Sequence, residues 1–295
     1  MTETLNNSSR LVLGTSQIGS SYGVTNNNFI DEDVAKKILN LSYKNNIREI
    51  DTAIDYNDSE KILGNIGVSK FSISTKLPSI EKQTINIEKW IYNEIENSLK
   101  RLNLSMINTL YMHNPKDLYG EYGINIYSVI KKLKSEKIIN NIGISVYTPD
   151  TLLNLIKKFQ IDVVQFPFNI MDNRFNTKLI KNEIQNQSIK VYIRSIFLQG
   201  LLLTNSTTHH GYFKRWRDQF LTWENWLEEN RLSALDVCLN YATSVFKNSK
   251  IIVGVSSLKD LSEICNVPIK TVPNIPNQFI SNEIELVDPR KWSLS

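Results

Sequence analysis

The stretch REIDTAIDYNDSEKILG, residues 48–64, places Asp51, Asp55, Tyr56 and Asp58 at the exit of what reads as a buried strand. One carboxylate there would cap a helix. Three carboxylates and a phenol form a set able to give, accept and bias a proton. Two more such groups follow at comparable places: Lys76 near the end of FSISTKL, and His113 at the end of INTLYMH. The chain has only 3 histidines, and His209 and His210 sit together in a polar loop. Singly, each residue has an ordinary explanation: packing for the tyrosine, exposure for the lysine, a structural hydrogen bond for the histidine. Their arrival at three consecutive strand ends points instead to proton-transfer chemistry.

Apolar strands alternate with amphipathic helices along the whole chain. The strands read as RLVLG, REIDTA, FSISTKL, INTLYMH, NIGISVY, DVVQFPFN, IKVYIRSIF and KIIVGVS. Between them lie helical patterns such as IEKWIYNEIENSLKRL, whose Ile87, Trp90, Ile91, Ile95, Leu99 and Leu102 keep steps of three and four. In TPDTLLNLIKKF, Thr148 is placed to cap a helix that Pro149 begins. Eight such units predict an α/β fold, a single (β/α)8 TIM barrel over residues 1–295, in preference to an open doubly wound sheet. In such a barrel the chemistry lies at the carboxyl ends of the strands, where Asp51, Tyr56, Lys76 and His113 fall.

The 295 residues are 41% hydrophobic and 22% charged, ordinary for a soluble globular chain. No apolar run approaches the roughly 20 residues that span a bilayer, so no membrane insertion is expected. The polar start MTETLNNSSR and the two cysteines, Cys238 and Cys265, without metal-ligand spacing, predict reduced thiols and a cytoplasmic protein. The net charge of +4 comes from lysines scattered along helix faces such as IKKLKSEK, and no nucleic-acid-binding motif accompanies it.

The segments DTAIDYNDSEKILG, ISTKLP and LYMHNP resemble the signature segments of the aldo-keto reductases, and the resemblance runs from LVLGTSQIG to VDPRKW. It implies that Tyr56 is the general acid, Asp51 and Lys76 its ion pair, and His113 the residue that orients a substrate carbonyl. The physics agrees. Hydride delivery to a carbonyl leaves an alkoxide that needs a proton, and a phenol keeps its own at neutral pH. A neighbouring ammonium eases its release, and an imidazole can donate to the same oxygen as charge develops. Asp55 and Asp58 have no role by this resemblance; Asp58 is expected to cap the helix beginning near Ser59. Asn57 stands where the family most often has glycine, and asparagine tolerates the same positive φ.

The resemblance further implies a nicotinamide dinucleotide, NADPH by family habit with NADH as the alternative, held without a G-x-G-x-x-G turn. Ser145 and Gln165 match positions that bind the nicotinamide carboxamide; a glutamine in an apolar strand equally fits a buried structural network, which Asn169 could share. Ser195 to Gly200, including Gln199, match the loop around the pyrophosphate, and Arg194 takes the place of an aromatic that stacks on the nicotinamide. Ser256, Ser257 and Lys259 match the adenosine-phosphate site, with Asp260 where an arginine often stands. LGTSQIGSSYGVTN and VYIRSIFLQGLLL also resemble a bacterial branch associated with surface-polysaccharide sugar pathways. A small carbonyl substrate follows, among them a sugar or nucleotide sugar.

HHGYFKRWRDQFLTW reads either as a mobile lid over residues 204–217 or as an ordinary helix packed on the barrel rim. Two rival functions fit parts of the pattern: a nicotinamide-binding regulatory or sensor subunit, and a lyase or isomerase using Lys76 as a Schiff base.

Overall fold

The computed structural model describes residues 8–19, 30–80 and 86–294. Eight strands, β1 (Leu11–Gly14), β2 (Glu49–Asp51), β3 (Ser72–Leu77), β4 (Ile107–Met112), β5 (Ile139–Ser145), β6 (Val163–Pro167), β7 (Lys190–Arg194) and β8 (Lys250–Gly254), pair in parallel in chain order. β8 pairs back onto β1 and closes the barrel. Parallel strands packed on both faces need near-continuous runs of buried residues, and all of VVQFP in β6 is buried.

The outer helices are α1 (Glu32–Lys44), α2 (Ser59–Ile66), α3 (Ile87–Leu102), α4 (Gly123–Ser135), α5 (Pro149–Ile156), α6 (Lys178–Asn186), α7 (Arg217–Glu229), α8 (Ala234–Val245) and α9 (Leu258–Cys265). The α3 face is the expected one: Ile87, Ile91, Ile95 and Leu102 are buried, with Trp90 and Leu99 packed against the core. Thr148 caps α5 through a bond from the Thr151 N–H. α4 starts at Gly123, where a Cβ would lie 2.1 Å from the Leu118 carbonyl oxygen.

The loop between β7 and β8 carries a helix beyond the eight strand–helix units. A six-residue 3-10 turn (Gly211–Trp216) leads into α7, and Phe213, Trp216, Phe220 and Trp223 form a second buried cluster with Phe279 and Leu286. Trp223 donates to the Leu202 carbonyl, and Trp216 to Glu283. Tyr212 donates to the Glu285 carbonyl. This stretch is therefore the packed rim helix of the two readings, with its aromatics spent on anchoring. Among the described residues, no helix is long and apolar enough to cross a membrane.

Both cysteines are free and buried, and burial pushes the Cys265 thiol up to about 11 and Cys238 higher still. Neither is a thiolate at neutral pH. We expect a thiol reagent to label neither in the native protein at pH 7.5 and both in denaturant. Fast native labelling would contradict the packing.

A second test concerns the crossing of α2 and α3. A Cβ on Gly64 would lie 1.9 Å from the Arg101 carbonyl oxygen, a backbone atom that cannot swing aside. Gly64→Ala should lower stability by about 1–3 kcal/mol despite alanine's better helix propensity. Urea unfolding reads this directly, and an unchanged or higher midpoint would show that the helices are not so closely apposed.

Candidate active site

Asp51 is the last residue of β2, and Lys76 lies on β3; both are buried. Lys76 Nζ donates to Asp51 Oδ1 at 2.5 Å and to the Thr52 carbonyl at 2.7 Å. The second Asp51 oxygen accepts from Gln165 Nε2 at 2.8 Å, across the barrel from β6. Burial alone would push the Lys76 ammonium down, but Asp51 and Tyr56 outweigh it and hold Lys76 above the ordinary lysine value. Lys76 is charged at neutral pH. Its Nζ lies 4.9 Å from the centre of the Tyr56 ring.

Tyr56 stands in a tight turn whose backbone is closed by bonds from Tyr56 N to Ala53 O and from Ser59 N to Tyr56 O. Asn57 takes a φ of 39°, the left-handed conformation expected of it. Thr15, Thr52 and Ser59 lock their hydroxyls together beneath the turn. His113 follows β4, its ring edge-on to Tyr56 with centres 6.1 Å apart. Asp51, Tyr56, Lys76 and His113 thus line one cleft.

Two carboxylates with no assigned part help to place these groups. Asp55 Oδ2 lies 3.4 Å from His113 Nδ1, joining the loops after β2 and β4. Glu60, on the buried stripe of α2 with Leu63 and Gly64, accepts from Thr75 and Ser98 on one oxygen and from two Arg101 nitrogens on the other. That carboxylate ties the helix after Tyr56 to the strand that carries Lys76. A charged residue in phase with a buried helical stripe was the available signal. Asp58 does occupy the N-cap position of α2, but its side chain makes no capping bond. Its φ of −86° and ψ of 6° lie outside the extended conformation that turns a cap side chain onto the first-turn amides.

The cleft, about 570 Å³, runs from this cluster over the ends of β5 to β8. Register pairs Ser145 with Gln165 on adjacent strands, and both line it. Asn169 does not share the Gln165 network. Its Nδ2 donates to the Ser195 carbonyl and its Oδ1 accepts from the Met171 and Asp172 amides, so it braces the loop after β7. That loop curls tightly, with left-handed φ values at Ser195 (59°), Leu198 (47°), Gln199 (56°) and Gly200 (95°). Ser195, Gln199 and Gly200 line the cleft. Arg194 lines it too, with its guanidinium 3.9 Å from the centre of the Tyr147 ring, against which Arg290 also lies at 3.3 Å.

Ser256 lines the far end of the cleft, and Lys259 does not. The Lys259 side chain is 82% exposed and reaches only Glu263, at 3.8 Å. Successive helical side chains point about 100° apart, and the face of α9 turned inward carries Asp260 and Glu263 instead. The Ser257 hydroxyl, expected as an anion donor, caps α9 by accepting from the Asp260 N–H. Among the described residues, no group of His, Cys, Asp and Glu is placed to hold a metal ion.

A cleft of this volume falls in the range of ligand sites. Its lining mixes ionisable, polar and apolar side chains, as a site for a polar small molecule requires.

The sequence profile of the Aldo/keto reductase family matches residues 10–273. The chain is 22% identical over 303 aligned positions to the D-arabinose 1-dehydrogenase of Saccharomyces cerevisiae, covering 95% of this chain and 88% of that one. It is 24% identical over 218 residues to a D-threo-aldose 1-dehydrogenase of Pseudomonas sp, covering 63% of this chain and 66% of that relative, just under two thirds of its length. In fold it is similar to an aldo-keto reductase from Bacillus halodurans solved in its holo form, at 20% identity, a TM-score of 0.70, and 90% and 88% of the two chains. The glycerol dehydrogenase of Gluconobacter oxydans is similar at 19% identity, a TM-score of 0.69 and the same coverage. With a buried Asp–Lys pair, a tyrosine and a histidine meeting at the mouth of an eight-stranded barrel, and a family match over nearly all of its length, the chain belongs to the aldo/keto reductase family of oxidoreductases.

Proposed function

We propose that this protein reduces the carbonyl of a sugar-like substrate, with Tyr56 as general acid and a nicotinamide dinucleotide as hydride donor. The observation that carries the reading is the buried Lys76–Asp51 pair set against the Tyr56 ring. A bound dinucleotide supplies the hydride, which goes to the carbonyl carbon. The Tyr56 hydroxyl gives its proton to the carbonyl oxygen, so that an alcohol forms. Lys76 stabilises the phenolate left behind, Asp51 holds Lys76 in place, and His113 donates to the substrate oxygen. Ser145, Gln165 and the Ser195–Gly200 loop would hold the dinucleotide.

Two relatives named as aldose dehydrogenases support a polyhydroxylated substrate, and the resemblance to a polysaccharide-pathway branch extends this to keto-sugars and nucleotide-linked sugars. Residues 20–26 of one segment carrying that branch resemblance lie outside the described residues. Free, buried thiols suit a reducing, cytoplasmic setting. The Schiff-base alternative fits poorly, because a nucleophilic lysine needs a depressed pKa and that of Lys76 is raised.

Tyr56→Phe should remove measurable carbonyl reduction while leaving the dinucleotide Kd within about threefold, roughly 0.6 kcal/mol. Near-normal turnover would take the acid role from Tyr56. Lys76→Met should depress turnover by about 10²–10⁴-fold, the range for loss of acid–base assistance, and displace the pH profile upward. Asp51→Asn should cost less, because the ammonium remains. The reverse order of the two variants would contradict the ion-pair assignment.

A further inference from the structure

The end of the cleft remote from Tyr56 has a definite charge. Asp260, Glu263 and Ile264 reach it from α9, Leu235 from the start of α8, and Ser256 from the loop after β8. Among the described residues that line the cleft, the lysine and arginine side chains are Lys76 and Arg194, both at the other end. The far end therefore presents two carboxylates, and among the described residues no lysine or arginine lines it; the exposed Lys259 stands outside the lining, 3.8 Å from Glu263. Asp260 also occupies the place that an incoming anion would take. Its Oδ2 accepts from the Ser256 N–H at 2.9 Å, and its own N–H donates to the Ser257 hydroxyl at 3.1 Å. The positive end of the α9 dipole is thus already met by a fixed negative charge.

An elongated dinucleotide whose reactive ring lies beside Tyr56 brings its adenosine end to these carboxylates. A phosphate on the ribose would meet the Asp260 carboxylate, whose partner is the Ser256 amide and not a cation. A free 2′,3′-diol offers two hydroxyl donors, and a carboxylate acceptor makes strong, charge-assisted hydrogen bonds with such groups. Ile264 and Leu235 give the adjacent base an apolar surface.

We infer that Asp260 and Glu263 make the far end of the cleft a ribose-diol site that excludes a 2′-phosphate, so that this protein uses NADH rather than NADPH. The inference deepens the reading of the cleft as a dinucleotide seat and rests on it. It reverses the expectation of NADPH, which came from family habit and from Ser256, Ser257 and Lys259; Lys259 points to solvent, Ser257 caps the helix, and the Ser256 amide is taken by Asp260.

The test is calorimetric titration of the intact protein with NAD⁺ and NADP⁺, which reads binding without turnover. NAD⁺ should bind at least tenfold more tightly, about 1.4 kcal/mol. The gap should narrow as salt is raised from about 0.05 to 0.5 M, since screening weakens the repulsion of the phosphate. Asp260→Asn keeps an acceptor for the Ser256 amide while losing the charge, and Glu263→Gln alters an exposed position. Combined, they should move the affinity ratio at least tenfold toward NADP⁺, by lifting the repulsion of the phosphate and weakening the charge-assisted bonds to the diol of NAD⁺. Equal or tighter NADP⁺ binding by the unaltered protein, or an unmoved ratio in the double variant with its thermal unfolding unchanged, would overturn the proposal. Absence of heat from both nucleotides would overturn the dinucleotide reading itself, and the proposal with it.

Discussion

Lys76 and Asp51 are two full charges held out of water, and taking each into the protein costs several kcal/mol before their attraction is counted. Such a pair survives only if every remaining lone pair and proton finds a partner. Lys76 divides its donors between Asp51 and the Thr52 carbonyl, and Asp51 divides its oxygens between Lys76 and Gln165. Gln165 comes from the far side of the barrel, 114 residues away in the chain. The pair is therefore satisfied only when strands two, three and six are in register and the barrel is closed. The charge beside Tyr56 is thus tied to completion of the fold.

Much of the surrounding architecture keeps that arrangement still. Glu60 fastens the helix after Tyr56 to the strand of Lys76 and to Arg101 on the next helix. Asn169 clamps the carbonyl of Ser195, and successive turn bonds hold the loop that follows in its left-handed conformations. The aromatic cluster of Phe213, Trp216, Phe220 and Trp223 anchors the long connection that leads from that loop back to strand eight. At the opposite end of the barrel Glu49 accepts from Tyr192 and pairs with Lys250. That cluster sits at the starts of strands two and eight, where conserved function is not expected of this fold and a stabilising role is.

The barrel and its four central side chains were legible because period and position expose them: strand ends follow from apolar runs, and a lysine or histidine closing one stands out. Less legible was anything set by rotation about a helix or by competition for a hydrogen bond. Lys259 and Asp260 are neighbours, and which of them faces the cleft depends on where α9 begins, which the Ser257 cap decides. Asn169 and Gln165 are both buried amides near the end of β6, yet only the folded structure shows that they serve different loops. Asp58 occupies a cap position by sequence and fails to cap because of one ψ angle. Glu60 was hard to read because its partners come from two other segments, β3 and α3.

The central claim is that a proton from Tyr56 and a hydride from the dinucleotide reach the carbonyl together, under the charge of Lys76. Combined kinetic isotope effects test it most directly: single-turnover reduction of an aldose or keto-sugar with cofactor deuterated at the transferring position, in ordinary and in heavy water. The account predicts a primary effect from the cofactor, a separate effect from the solvent, and persistence of each when the other isotope is present. A cofactor effect with no solvent effect would place proton donation outside the transition state and contradict the role given to Tyr56 and its buried ion pair.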